Sequence, residues 1–258
     1  MDTLRETVER SGAMLGMAIE AGGSGLALLR GRFGRGARRV VLAALADQIW
    51  YTGLGAVGLI VGLGVVIALG AVGFAWAPLA SVGAQDLFGR VFRGLVLVEI
   101  APLVVAMVLA ARSGTAIATE LGGMRVRNEV AALTAHGVDP IVYLVLPRLL
   151  GGVLAAASLD VVFSVSAYLG AGFALVLSGS PDLEVLGLLG GLAAPGPLVQ
   201  GVAKSAFFGL LVMVVATYAG LRSSRDVASV PARVSEVVSG ALLPVFLIDA
   251  VLILGWYA

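Results

Sequence analysis

The sequence predicts an all-α membrane protein with five transmembrane helices, preceded by an amphipathic helix on the membrane surface. Of its 258 residues, 59% are hydrophobic and only 13% are charged, and the mean hydropathy is +1.03. Soluble domains carry about 25% charged residues. A water-soluble fold of this length could not bury so much apolar surface, so we expect lipid to be the solvent of this chain.

Five stretches are apolar and long enough to cross a bilayer, which takes about 20 residues in a helix. Trp50, Tyr51 and Trp76 flank the first, as aromatic side chains often do at membrane–water interfaces. A further apolar stretch, residues 183–194, is too short to span and is predicted to be interfacial or re-entrant. The predicted spans are residues 52–74, 93–112, 149–180, 199–221 and 237–258.

The first 45 residues have the pattern of a surface helix followed by an elbow into the first span. Leu4, Val8, Leu15 and Ile19 recur at helical spacing between charged residues. A helix with one apolar and one charged face lies in the membrane interface. The alternative is a disordered tail, and the periodicity favours the helix.

The positive charges predict the orientation of the chain. Cytoplasmic loops carry an excess of Lys and Arg. The N-terminal segment, the loop between spans two and three and the loop before the last span hold 14 of the 17 basic residues. We therefore expect the N-terminus inside and the C-terminus outside, with the other three basic residues on the outer side: Arg90, Arg93 and Lys204.

Several kinds of chemistry are excluded by composition. Without Cys and with His136 as its one histidine, the chain can form neither thiolate nor His-cluster metal sites. A nucleotide-binding P-loop needs Gly-Lys-Ser/Thr, whereas Lys204, the only lysine, follows Ala203. We expect no catalytic residues, no metal and no cofactor in this chain, so any ATP-driven work requires a partner.

Three carboxylates fall inside the predicted spans: Glu99, Asp160 and Asp249. An ionisable group at bilayer depth costs at least about 2.5 kcal/mol and therefore faces protein or water. For Asp160 and Asp249 we favour a structural role. Glu99 has two interpretations: a polar group on a transport path, or a packed carboxyl that holds helices in register.

The segment 113–146, on the predicted inner side, has the pattern of a docking surface. Glu120, Met124 and Arg127 fall at i, i+4 and i+7, and Val126, Val130 and Leu133 mark a second helical face. A short amphipathic helix between two spans offers a surface to a soluble partner. The alternative is a helix that only joins the spans.

Four motifs in and around this segment resemble the MlaE (YrbE) permease family in their order and spacing. Lys204-Ser205, Gly220-Leu221-Arg222 and Ile248-Asp249 extend the resemblance over about residues 45–255. The central motifs are Glu99-Ile100-Ala101-Pro102, Ala111-Arg112-Ser113-Gly114-Thr115-Ala116-Ile117, Glu120-Leu121-Gly122-Gly123-Met124-Arg125-Val126 and Gly137-Val138-Asp139-Pro140 with Leu146-Pro147-Arg148.

The resemblance implies a single permease domain over residues 1–258, in the bacterial inner membrane, that moves phospholipids or related hydrophobic molecules. Permeases of that family pair with a second permease copy, bind cytoplasmic ABC ATPase subunits and work with an MCE-domain lipid-binding protein; no nucleic acid is involved. It implies a lipid cavity beside Glu99 and Pro102. The implied ATPase-docking residues are Glu120, Met124, Arg125, Arg127 and Glu129.

Two other functions fit a polytopic membrane protein. A self-contained secondary transporter or channel would commonly show internal repeats, and five spans do not divide into two halves. A scaffold that anchors envelope proteins would assemble with them without moving lipid. ATP-dependent lipid movement by the assembled complex separates these alternatives from a permease.

Overall fold

Helices make up the fold of this protein. The computed structural model describes residues 2–29, 35–179, 187, 195–223 and 230–257, and every regular element in these ranges is helical. The α-helices are α1 (Asp2–Leu29), α2 (Arg35–Ile49), α3 (Gly55–Ser81), α4 (Gln85–Phe92), α5 (Ala101–Val108), α6 (Thr115–Val126), α7 (Glu129–Ala135), α8 (Leu146–Leu177), α9 (Pro195–Leu221) and α10 (Val230–Tyr257).

Among the described residues, five continuous helical runs are long and apolar enough to cross a membrane, which confirms the predicted fold class. They run past the predicted spans at several ends because the polar flanks continue the helices. The predicted interfacial segment, residues 183–194, lies outside the described residues apart from Gly187. The runs are span 1 (Val41–Ser81), span 2 (Leu87–Val126), span 3 (Ile141–Leu177), span 4 (Pro195–Leu221) and span 5 (Val234–Gly255).

Span 3 lies at the centre of the bundle, against spans 1 and 4. Small residues let these helices approach closely, since packing in lipid relies on van der Waals contact. A Cβ on Gly209 of span 4 would stand 2.5 Å from the Cβ of Ala156. A Cβ on Gly170 of span 3 would stand 3.1 Å from the Cα of Val65. A larger side chain at either glycine would force the helices apart.

In the part of the chain that the structure describes, four π-helical turns interrupt the α-helical geometry: Trp50–Leu54, Arg93–Ile100, Leu109–Gly114 and Ile141–Val145. Two of them end two residues before a proline in the first turn of the next α-helix, Pro102 in α5 and Pro147 in α8. Proline has no N–H for the carbonyl four residues earlier. The local change of pitch is therefore expected where these prolines enter the spans.

The N-terminal segment forms a long helix rather than a tail. On the part of α1 whose side chains are described, Met14, Met17 and Ala21 pack against the bundle, whereas Leu15 and Ile19 are exposed. Arg10 forms an ion pair of 2.9 Å with Glu236 of α10. The helix is thus anchored to the bundle, and part of its apolar surface remains exposed, as in a helix that lies on a membrane surface. Its location at the membrane interface stays a prediction.

The orientation of the chain can be tested by cysteine labelling, because the natural sequence has no background thiol. Arg127 follows the end of span 2 and Val82 lies in the short turn between spans 1 and 2, and both are exposed. In right-side-out vesicles an impermeant maleimide should label Val82→Cys and should label Arg127→Cys only after permeabilisation. Labelling of Arg127→Cys in intact vesicles would overturn the orientation.

Candidate functional site

A cluster of three charges joins three spans inside the bundle. The Nζ of Lys204 on span 4 lies 2.5 Å from Oε2 of Glu99 on span 2. The same Nζ lies 2.6 Å from Oδ1 of Asp249 on span 5. One cation thus stands between two carboxylates drawn from different helices. We call these three residues the charged cluster.

Glycine and proline position the cluster. A Cβ on Gly201, one turn before Lys204, would collide with the carbonyl oxygen of Leu97, so only glycine lets span 4 come this close to span 2. Pro102 has no N–H to give to the carbonyl of Val98. The Nζ of Lys204 donates to that oxygen instead, at 3.3 Å. The backbone of span 2 therefore helps to bind the lysine.

The three members lie at similar depths in the membrane. Glu99 follows Arg93 by six residues, Asp249 precedes the end of span 5 by six, and Lys204 follows Pro195 by nine. At 1.5 Å per residue these offsets are about 9, 9 and 14 Å. The positive-inside count groups Lys204 with outer loop charges, but the structure places it well inside span 4.

Sequence reasoning missed the pairing of Lys204, although a signal for it exists. It is the only lysine of the chain, and it stands inside an apolar span. Basic residues in such segments pair with acids or with backbone carbonyls. Because three acidic residues lie within the spans, the sequence alone does not indicate which of them forms an ion pair with Lys204.

Asp160 stands apart from the cluster. It is fully buried on span 3, and its carboxylate oxygens have no hydrogen-bond partner beyond a weak contact with the hydroxyl of Ser205 on span 4. Its Oδ2 lies 3.4 Å from where a Cβ on Gly201 would be, so it faces span 4. The hydroxyls of Ser164 and Tyr168, one and two turns along the same face, are also buried without a partner. This polar stripe is internal to the bundle, in keeping with a structural role.

Glu99 is the member of the charged cluster nearest the surface of the bundle. Its side chain is 15% exposed, compared with 8% for Lys204 and 5% for Asp249. Lys204 and Asp249 are therefore closed off within the protein, whereas one carboxylate remains within reach of a molecule beside span 2. A polar group of that kind inside an apolar bundle can bind a polar part of a lipid.

The segment between spans 2 and 3 is organised differently from the predicted short helix. Span 2 continues without a break through α6 to Val126, and α6 packs on spans 4 and 5. Asn128 has the left-handed φ of 58° and turns the chain into α7. Arg127 therefore leaves the helix that carries Glu120, and the face predicted from Val126, Val130 and Leu133 is divided by the turn.

Glu120 ties this segment to the start of span 3. Its Oε1 accepts a hydrogen bond of 2.8 Å from Nη2 of Arg148, and Nη1 of Arg148 donates to the carbonyl of Leu144 at 2.7 Å. Glu120 itself is exposed. It therefore both holds two spans together and presents a carboxylate at the end of the bundle.

The remaining docking candidates divide into exposed and packed groups. Arg127 donates from Nε to Oε1 of Glu129 at 2.5 Å. That hydrogen bond lowers the pKa of the Glu129 carboxyl and raises the pKa of the Arg127 guanidinium. Arg125 is exposed and has no side-chain partner among the described residues, while Met124 packs partly against the core. Arg125 is thus the charge most available to a soluble partner.

Comparison with known proteins gives a family match over most of the chain. The family described as Permease MlaE matches residues 45–254. The chain spans less than two thirds of the length of the curated relatives that it matches. A Rickettsia bellii "Probable ABC transporter permease protein" is 29% identical over 56% of this chain and 57% of its own length. The "Protein TRIGALACTOSYLDIACYLGLYCEROL 1, chloroplastic" of Arabidopsis thaliana is 28% identical over 60% of this chain and 44% of its own.

A third relative has a more specific name. The "Intermembrane phospholipid transport system permease protein MlaE" of Haemophilus influenzae is 30% identical over 105 residues, which are 41% of this chain and 40% of that protein. The shared length is short, so the name describes that protein.

The charged cluster predicts an order of stability among variants. Removing one partner of a buried ion pair costs about 3–5 kcal/mol because the other charge is left uncompensated. Lys204→Met leaves Glu99 and Asp249 without a cation, whereas Glu99→Gln leaves Lys204 paired with Asp249. In detergent, Lys204→Met should therefore melt at a much lower temperature than the parent, and Glu99→Gln only slightly lower. Arg222→Met, a control at an exposed position, should have the same melting temperature as the parent. Equal melting of Lys204→Met and the parent would contradict a stabilising role for the cluster.

Proposed function

Because this chain belongs to the MlaE permease family of ABC transporters, we propose that it forms the membrane path for phospholipids or related hydrophobic molecules. A partner ATPase supplies the energy, and transport runs between the inner membrane and the outer envelope. The phospholipid name of the Haemophilus influenzae relative supports this substrate class. The observation that carries the proposal is the charged cluster inside an apolar five-span bundle.

The cluster suits an amphipathic cargo. A phospholipid crossing the bundle needs apolar surface for its acyl chains and a polar contact for its headgroup. Glu99 is partly exposed beside the buried Lys204, and the outward surfaces of the spans around it are apolar. The carboxylate offers hydrogen-bond acceptance and a negative field to a headgroup, while Pro102 keeps the neighbouring backbone irregular.

We propose three kinds of partner, each at a different surface of the bundle. We place the ATPase on the segment around α6 and α7, where Glu120 and Arg125 are exposed. The open apolar faces of spans 1 and 5 suit a second permease copy, since most of each lies on the outside of the bundle. An MCE-domain protein on the outer side would receive or deliver the lipid.

Lipid transfer by the reconstituted complex tests the role of Glu99. We expect Glu99→Ala to assemble with the ATPase, because Lys204 stays paired with Asp249. The same variant should lose about ten-fold or more of ATP-dependent lipid transfer, because the exposed carboxylate is gone. Glu99→Gln separates charge from hydrogen bonding, and Glu20→Gln on α1 serves as an exposed acidic control. Normal transfer by a stably assembled Glu99→Ala complex would remove Glu99 from the path.

Co-purification tests the docking surface. Glu120→Ala with Arg125→Ala should reduce the yield of the ATPase on the purified permease while leaving membrane insertion intact. Because Glu120 also binds Arg148, Arg125→Ala alone is the cleaner variant and should lower the yield without loosening span 3. Arg222→Ala is the matched control. An unchanged ATPase yield with the double variant would refute docking through this surface.

A further inference from the structure

A cavity of about 640 Å³ opens where spans 1, 2 and 3 begin or end on the arginine-rich side. This volume is within the range of small-ligand sites. We call it the interfacial cavity, and its polar and aromatic lining includes Asp47, Tyr51, Arg112, Glu120, Tyr143 and Arg148. It is separate from the charged cluster, whose residues are absent from its lining.

The cavity lies at the depth of lipid headgroups. Arg93 and Arg112 are 19 residues apart on span 2, or about 28 Å along a helix, which is close to the thickness of the hydrocarbon core. With Arg93 near one boundary, Arg112 stands near the other. Trp50 and Tyr51, both exposed at the same end of span 1, mark the interface as aromatic belts do.

The guanidinium of Arg112 has no hydrogen-bond or ion-pair partner among the residues that the structure describes. Arg148, across the cavity, is instead bound to Glu120. Its guanidinium lies against span 1 at Gly55, where a Cβ would stand 2.5 Å from Nη2. The glycine therefore leaves room for an arginine held at the cavity wall, and a planar guanidinium binds phosphate oxygens in a bidentate manner.

Asp47 supplies the opposite charge. It also lines the cavity, is exposed, and forms no ion pair within the described part of the chain. A free phosphate would gain from Arg112 and be repelled by Asp47, whereas a zwitterionic headgroup can satisfy both. Basic pockets between membrane helices are known to bind lipid headgroups at this depth.

We propose that the interfacial cavity binds the headgroup of an aminophospholipid from the leaflet facing the arginine-rich loops. Arg112 holds the phosphate and Asp47 the ammonium group, while the acyl chains extend beside span 1. This site does not depend on the transport function proposed above, since binding needs neither an ATPase nor ATP. It gives the chain a second polar contact with lipid, at the opposite face of the bilayer from the charged cluster.

Photolabelling of the purified full chain tests the site directly. A phosphatidylethanolamine carrying a diazirine on its headgroup is incorporated with the chain into nanodiscs, and labelled positions are mapped by mass spectrometry. We expect labels in residues 44–52 and 143–148. Arg112→Gln should lose about ten-fold of this labelling, while Arg222→Gln, an exposed arginine outside the cavity, should keep it. Labels near Glu99 report on the transport path and are scored separately.

Competition identifies the source of the phosphate. Unlabelled dioctanoyl phosphatidylethanolamine should displace the label, while dioctanoylglycerol and inorganic phosphate at the same concentration should not. Displacement of the label by inorganic phosphate would overturn the assignment of a lipid as the ligand.

Two further variants separate loss of binding from loss of structure and test the role of Asp47. Arg112→Lys keeps the charge and should retain much of the labelling, and Asp47→Asn should remove the preference for phosphatidylethanolamine over phosphatidylglycerol. The proposal fails if Arg112→Gln with a normal melting temperature labels like the parent, or if Asp47→Asn keeps that preference.

Discussion

A lysine buried among membrane helices requires a negatively charged partner, and three of the five spans are held in register by that requirement. Lys204 cannot reach water from its place within span 4, and its two carboxylate partners come from spans 2 and 5. Such contacts exist only in one register of three helices. Buried ion pairs add little net stability compared with apolar packing, but a wrong register would leave charge unpaired in lipid, which is far more costly.

The close approach of the helices follows from the same requirement. Gly201 brings span 4 against the backbone of span 2, and Pro102 frees a carbonyl that Lys204 then uses. Gly209 repeats the close contact on the other side, between spans 4 and 3. Three small or unusual residues thus bring span 4 into contact with both neighbours. The apolar side chains fill the remaining space without choosing the register.

The five spans could be predicted because hydropathy is a local property, read from about 20 neighbouring residues at a time. The charged cluster could not, since its members are 105 and 45 positions apart along the chain and only packing brings them together. The docking segment lies between these cases. Its motifs identify it, but the left-handed turn at Asn128 and the continuation of span 2 into α6 depend on tertiary contacts that periodicity does not describe.

The unbroken course of span 2 has a mechanical consequence. Glu99 and Glu120 stand on one helical run, 21 residues apart, which is about 32 Å of rise. When this run tilts as one body, its π-helical turn at Leu109–Gly114 included, a tilt of about 5° at one end displaces the other by about 3 Å, roughly the length of a hydrogen bond. Force applied where α6 meets a soluble partner would therefore arrive at the carboxylate of Glu99 as a displacement large enough to make or break its contact with Lys204.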